Sequence, residues 1–380
     1  MAIYLDYNAS CPVRREVLEK MIPHFRETHG NPSSTHYYGQ RAKAAVEEAR
    51  QNVAALIGAD PSEILFVSGG TEANNMVIRG VMDKANGALL TAKTEHPAVY
   101  NTAKLLQKTG GEIHFVPVDE DGVIDLRELR EIVKSREIAL VSIMAANNET
   151  GTIQPFEEIA EICEAHNVPF HTDAAQAVGK IPFSVRNSQI DFVTLAAHKM
   201  GGPIGIGALF IRGDSELDRV FEGGSQEVNR RPGTEAVSLI VGFGEACRLA
   251  SELLTEEIER IQGLRDYLET EICSLEPSVI VNSRNADRLP NTSNLAFPGI
   301  SSEMLVIRMD LEGFAISSGS ACHSGRTEPS RVLIEMGLED LASSSVRISL
   351  GTDTTKGEVA EFVKTLAKVI KEIKSPGGME

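Results

Sequence analysis

The chain has 380 residues, 42% of them hydrophobic, enough to bury a large core and to fill two domains. A formal charge of -17 and a pI near 5.1 repel nucleic acid, and no basic patch with interleaved aromatics offsets them, so any nucleic-acid role has to run through a partner. MAIYLDYNAS carries no basic stretch followed by an apolar core, and no run of about 18 apolar residues occurs, so no membrane attachment is expected and the cytoplasm is the expected compartment.

IYLDYNASCPV predicts a short strand entering a proline turn, and residues 15–25 have the apolar spacing of a helix. HGNPSSTHYYG reads as a polar loop, and residues 40–56 as an amphipathic helix ended by Gly58. Strands and helices then alternate. Strands are expected at 64–67, 88–91, 113–116, 139–143, 169–171, 192–195 and 207–211, and helices at 71–83, 97–108, 125–134 and 156–166. Such alternation predicts an α/β fold on a mainly parallel seven-stranded sheet, whose ligands bind beyond the strand carboxyl ends.

Polar residues follow these strands. After ILFV, Ser68, Gly69, Gly70 and Thr71 open a helix whose free N–H groups attract an anion, although any βα turn can hold two glycines. His96 precedes Pro97 at a helix start and is either a capping residue or an imidazole stacked on a planar ligand. Asn147 and Asn148 read as ordinary turn residues, though at a strand's carboxyl end they can also donate side-chain hydrogen bonds to a ligand. In VPFHTDAAQAVGK, Asp173 ends a strand in a tight place that demands a cation, or else caps a helix, with Gln176 three residues on. Lys199 sits on a turn between two strands in DFVTLAAHKMGGPIGIGAL, where burial would lower its pKa and free an amine for aldehydes; a solvated turn lysine is the plainer reading. Lysine, carboxylate, helix-start anion site and stackable histidine together match the needs of pyridoxal 5'-phosphate.

Arg230, Arg231 and Thr234 lie in a glycine-proline loop before a helical stretch at 236–254. A second helix from about residue 257 leads into a smaller α/β unit. The expected division is a large domain at 15–256 and a small one made of 1–14 and 257–380. Five scattered cysteines without a C-x-x-C pair signal neither a disulfide framework nor a metal site. Cys163, Cys247 and Cys273 fall in apolar helical contexts. Cys322 sits instead in a Ser/Gly-rich loop beside His323 and Arg326, where its thiolate is favoured and reachable. Arg347, on a predicted strand, needs an anion if it points inward, and a substrate carboxylate would serve.

YLDYNA, GNPSS, SGGTEANN, TEHPAV, VSIMAANNETGTIQP, HTDAAQAVGK, AAHKMGGPIGIGAL, RRPGTEA, SSGSAC and VRISLG give the sequence its resemblance, over nearly the whole chain, to the cysteine desulfurases, NifS-like members of the class V aminotransferase group. The resemblance implies a fold-type-I transferase dependent on pyridoxal 5'-phosphate, a homodimer, and conversion of L-cysteine to L-alanine. Lys199 would form the Schiff base and move the alpha proton, Asp173 would pair with the pyridinium nitrogen, His96 would stack on the ring and Gln176 would hold the phenolic oxygen. Asn148 would touch cofactor and substrate carboxylate, and Arg347 would bind that carboxylate. Gly70, Thr71 and His198 would lie at the phosphate, with Thr234 reaching in from the neighbouring subunit. Cys322 would accept the sulfur as a persulfide and pass it to an acceptor protein, for which iron-sulfur scaffolds, RNA-thiolation enzymes and DNA phosphorothioation systems are the kinds implied. Departures are Ala196 for a usual Ser, Gly70 for Ala, Ile204 for Lys, Cys11 for Thr, and His323 and Arg326 after the cysteine. The alternatives are a selenocysteine lyase, which would not depend absolutely on Cys322, a non-catalytic sulfur carrier, and an aminotransferase for another amino acid.

Overall fold

The computed structural model describes residues 2–213, 215–318 and 329–375. After a two-residue strand, β1 (Ile3–Tyr4), seven strands build the central sheet: β2 (Ile64–Val67), β3 (Ala88–Ala92), β4 (Ile113–Val116), β5 (Ile138–Ser142), β6 (Phe170–Asp173), β7 (Phe192–Ala196) and β8 (Gly207–Ile211). Their order is β2-β8-β7-β6-β5-β3-β4, and β8 alone runs antiparallel to its neighbours. Helices cover both faces, so strands such as ILFV and FVTLA are apolar along their length rather than alternating.

A second core forms around β10 (Thr292–Ala296), flanked antiparallel by β9 (Ile280–Val281) and β12 (Ser345–Ser349). The N-terminus joins it: β1 pairs in parallel with β11 (Phe314–Ala315), and Leu5 is buried among its apolar residues.

The structure departs from the sequence reading in two places. The helices expected at 236–254 and from 257 are one helix of 39 residues, Val237–Leu275. Its middle, SELLTEEIER, holds neither Gly nor Pro and is rich in helix-forming Leu and Glu, so nothing stops it. Ile240, Phe243 and Cys247 pack in the first core and Ile261, Leu268 and Ile272 in the second, so the helix crosses the expected domain division. The helix expected from residue 40 starts at Tyr37, because His36 caps it by accepting from Gly39 N–H at 3.2 Å. Among the described residues no helix is long and apolar enough to cross a membrane.

Candidate active site

The carboxyl ends of the parallel strands open onto a cavity of ≈ 620 Å³. Each strand delivers its residues through the turn after it: Gly70 and Thr71 after β2, Glu95 and His96 after β3, Asn148 after β5, Gln176 after β6, and His198 and Lys199 after β7. Asp173 is the last residue of β6 itself. The amino end of β8 lies at this same rim. A Cβ on Gly207 would stand 2.9 Å from Gly69 Cα, so the missing side chain lets β8 pack under the turn that starts helix Gly70–Met82.

Lys199 closes a single 3-10 turn, Ala197–Lys199. The turn is clamped by the N-terminal segment: Cys11 N–H donates to His198 O at 2.8 Å, Arg14 N–H to Gly201 O at 3.0 Å, and the Cys11 thiol to Lys199 O at 3.2 Å. Gly201 takes φ +78°, where a side chain would also strike Arg14, so the chain can reverse only with glycine here. Lys199 Nζ donates to the carbonyls of Asn8 at 2.7 Å and Ala9 at 2.9 Å. Burial, then the charge of Arg347, pushes its pKa down to about 8. Beside it, burial and the Lys199 charge push His198 down to about 4, so that ring is neutral near pH 7.

Asp173 is 7% exposed; its Oδ2 accepts from Asn74 Nδ2 at 2.6 Å and its Oδ1 from Ala175 N–H at 3.0 Å. No basic side chain pairs with it among the described residues. A buried carboxylate without a cation leaves room for a charged N–H donor, as a pyridinium nitrogen supplies. His96 caps the helix Pro97–Lys108, its Nδ1 accepting from Ala98 N–H at 3.1 Å. The capping reading of this histidine therefore holds, and the capped ring also lines the cavity. Burial lowers its pKa, and with Nδ1 engaged as an acceptor the proton sits on Nε2.

Arg347, 4% exposed on β12, donates to Asp6 Oδ1 at 2.7 Å and to Asn148 O at 2.9 Å, and its Nε has no partner among the described residues. Glu95 Oε2 and Arg331 Nη1 are likewise buried without partners. Arg331 lies over the Tyr100 ring at 4.0 Å and donates to Glu95 O at 2.7 Å. Unsatisfied buried polar atoms around a cavity mark it as built for a polar guest. With Lys199, Asp173 and the helix start at Gly70, this donor set fits pyridoxal 5'-phosphate and an amino acid.

Of the residues singled out from sequence, Lys199, His96, Gly70, Thr71, Asn148, Asp173, Gln176, His198 and Arg347 all line this cavity. Thr234 is exposed and does not line it. Asn147 proves to be a turn residue, its side chain bonded to Glu149 N–H, Thr150 N–H and Thr94 O. Arg231 is spent on Glu72 at 2.8 Å rather than on a ligand. Cys322, with His323 and Arg326, lies outside the described residues. Asp6, Asn8, Asn74, Glu95, Lys180 and Arg331 went unnoticed in sequence. The signal for Asp6, Asn8, Asn74, Glu95 and Lys180 was their place inside YLDYNA, SGGTEANN, TEHPAV and HTDAAQAVGK; Arg331 lies in none of the quoted motifs. Among the described residues no group of three His, Cys, Asp or Glu side chains could hold a metal ion.

The family model described as Aminotransferase class-V matches residues 3–362. The cysteine desulfurase IscS of Dictyoglomus turgidum is 42% identical over 377 residues, which cover 98% of this chain and 95% of that protein. Among solved structures, a NifS-like protein matches with a TM-score of 0.91 at 36% identity over 98% of this chain and 100% of its own. The structure of SspA in complex with cysteine matches with a TM-score of 0.81 at 36% identity, over 92% of this chain and 98% of its own.

Proposed function

The chain belongs to the class-V aminotransferase family, and we propose that it is a cysteine desulfurase, moving the sulfur of L-cysteine onto Cys322 and leaving L-alanine. One observation carries the reading: Lys199 and the uncompensated Asp173 carboxylate face a single cavity that also holds the incompletely paired guanidinium of Arg347. Full-length similarity to a cysteine desulfurase, and to a protein solved with cysteine, supports the same substrate.

Pyridoxal 5'-phosphate would be held by Lys199 at its aldehyde, Asp173 at the ring nitrogen, His96 against the ring and Gln176 and Asn148 at its polar edge. Gly70, Thr71 and His198 would take the phosphate. When bound, the cofactor supplies an electron sink for the substrate's α-carbon. The chain's own residues do the rest. Arg347 takes the substrate carboxylate through the N–H groups that Asp6 and Asn148 leave unpaired, its guanidinium held in place by the bond of Nη2 to Asp6. Lys199 moves the α-proton at Nζ, and its depressed pKa keeps a usable fraction of neutral amine near pH 7. His96 holds a proton at Nε2. The Cys322 thiolate attacks the substrate sulfur: an S–S bond forms, the C–S bond breaks, its electron pair stays on carbon, and a proton completes L-alanine. The persulfide then passes its sulfur to an acceptor protein, a scaffold or a thiolation enzyme.

A homodimer completes the site. Thr234, which is exposed and does not line its own cavity, would reach the phosphate in the neighbouring subunit. Leu18, Ile22 and Phe25 form an exposed apolar row on the helix Arg15–Arg26, a face that a second copy would cover.

The test is turnover of L-cysteine with pyridoxal phosphate and a thiol reductant, reading alanine and sulfide together. Both products are expected in equal amounts, and both vanish in Lys199→Ala and Cys322→Ala. Undiminished output from either variant sinks the reading.

A further inference from the structure

Lys180 follows Gln176 by one turn, and its Nζ lies 2.5 Å from Gln176 Oε1 and 3.0 Å from Asn8 Oδ1. On the other side of the same amide, Gln176 Nε2 donates to Asn8 O at 2.9 Å. The two ends of a glutamine amide have the same shape, so its orientation is decided by its partners. A lysine amine presents N–H donors, so the atom facing it is the oxygen. A backbone carbonyl only accepts, so the atom facing Asn8 O is the nitrogen. Both contacts therefore select one orientation, and a flip would set donor against donor and acceptor against acceptor.

The nitrogen carries a second N–H. It makes no other hydrogen bond among the described residues, and Gln176 lines the cavity. The bracket around the amide is itself anchored. Asn8 Oδ1 also accepts from Asn291 Nδ2 at 3.0 Å, and Asn8 Nδ2 donates to Thr292 Oγ1 at 2.8 Å, which ties the bracket to β10 of the second core. Lys180 thus spans the seam between the two cores, with Gln176 and the cavity on one side and Asn8 on the other.

We propose that Lys180 is a positioning residue that keeps the Gln176 NH₂ turned into the cavity, as the donor that meets the cofactor's phenolic oxygen. The inference rests on the cofactor reading above. A flipped amide would present a carbonyl oxygen to an oxygen that carries negative charge, so the amide's sense decides whether the contact attracts or repels. Burial also pushes the lysine's pKa down to about 7; the charged form has N–H donors only, whereas the neutral form adds a lone pair, so Lys180 selects the amide's sense strictly when charged and the Asn8 carbonyl selects the same sense in both states.

The experiment is a double-mutant cycle on the full-length chain, with pyridoxal phosphate affinity read from visible absorbance. Lys180→Met is expected to raise the cofactor Kd about tenfold, the scale of one hydrogen bond to a charged group. Lys180→Arg, which keeps a donor, should return it to within about threefold of the wild type. With Gln176→Ala already in place, Lys180→Met should add less than about twofold, because nothing remains to be positioned. Full multiplication of the two effects, or a Lys180→Met protein that binds like the wild type, overturns the proposal. A wild type that develops no absorbance at all overturns the cofactor reading and this inference with it; normal wild-type binding with additive variants overturns this inference alone.

Discussion

Asp6 holds Arg347 in place: the carboxylate accepts from Nη2 at 2.7 Å and the Asn148 carbonyl from Nη1 at 2.9 Å, while Nε is buried without a partner among the described residues. Asp6→Asn exchanges a charge-assisted bond for a neutral one without changing size. KM for L-cysteine is expected to rise about tenfold while kcat changes less than about threefold, as for a binding residue. An unchanged KM would separate Arg347 from substrate binding.

Lys199 bears on pH dependence. Coupling to an aldehyde needs the neutral amine, and with a pKa near 8 that fraction grows steeply from pH 7 to pH 9 and then levels off. The rate of pyridoxal phosphate capture by the cofactor-free protein should therefore inflect near pH 8 when followed by stopped-flow absorbance. For an unperturbed lysine the inflection would lie near 10.4. The same depression costs stability wherever the folded protein must hold the charge. The penalty is complete below about pH 8 and fades as pH rises toward the unfolded value, so this lysine makes the cofactor-free protein firmer across that window.

Ala196 ends β7 on the cavity wall, fully buried, and its Cβ lies 3.9 Å from where a Cβ on Gly70 would stand. A hydroxyl there has an anion to meet if the phosphate binds at the Gly70 turn. Ala196→Ser should tighten pyridoxal phosphate about tenfold, the worth of one hydrogen bond to a charged group. Equilibrium titration would check it, and weaker binding would move the phosphate elsewhere.

Away from the cavity, Arg50 and Glu227 form a buried two-point ion pair at 2.8 and 2.9 Å, with side chains 10% and 3% exposed. Glu227 also accepts from Phe66 N–H in β2, and Arg50 donates to Ile64 O at its start. Arg50→Met strands the carboxylate, so a loss of about 3 kcal/mol is expected in denaturant unfolding. A loss below about 1 kcal/mol would mean that water or another donor rescues Glu227.

The strands were legible because doubly covered parallel strands are short continuous apolar runs, and ILFV or FVTLA can hardly be anything else. The cavity residues were legible because a parallel sheet gathers whatever follows its strands: Asp173, His96 and Lys199 are far apart in the chain and share one rim. Asp6 and Asn8 were not, since their partners Arg347 and Asn291 lie about 280 to 340 residues away and no local pattern announces such a pairing. The misjudged break near residue 256 has a plain origin. A helix whose buried stripe passes from one core to another looks, in sequence, like two amphipathic helices meeting end to end.

That helix runs about 58 Å at 1.5 Å per residue and contains no proline. It acts as an axle common to both halves of the molecule, and pivoting one half against the other would have to twist or bend it. Arg347 and Lys199 are carried by opposite halves, so any such pivot would change the spacing between the two groups that the substrate has to meet.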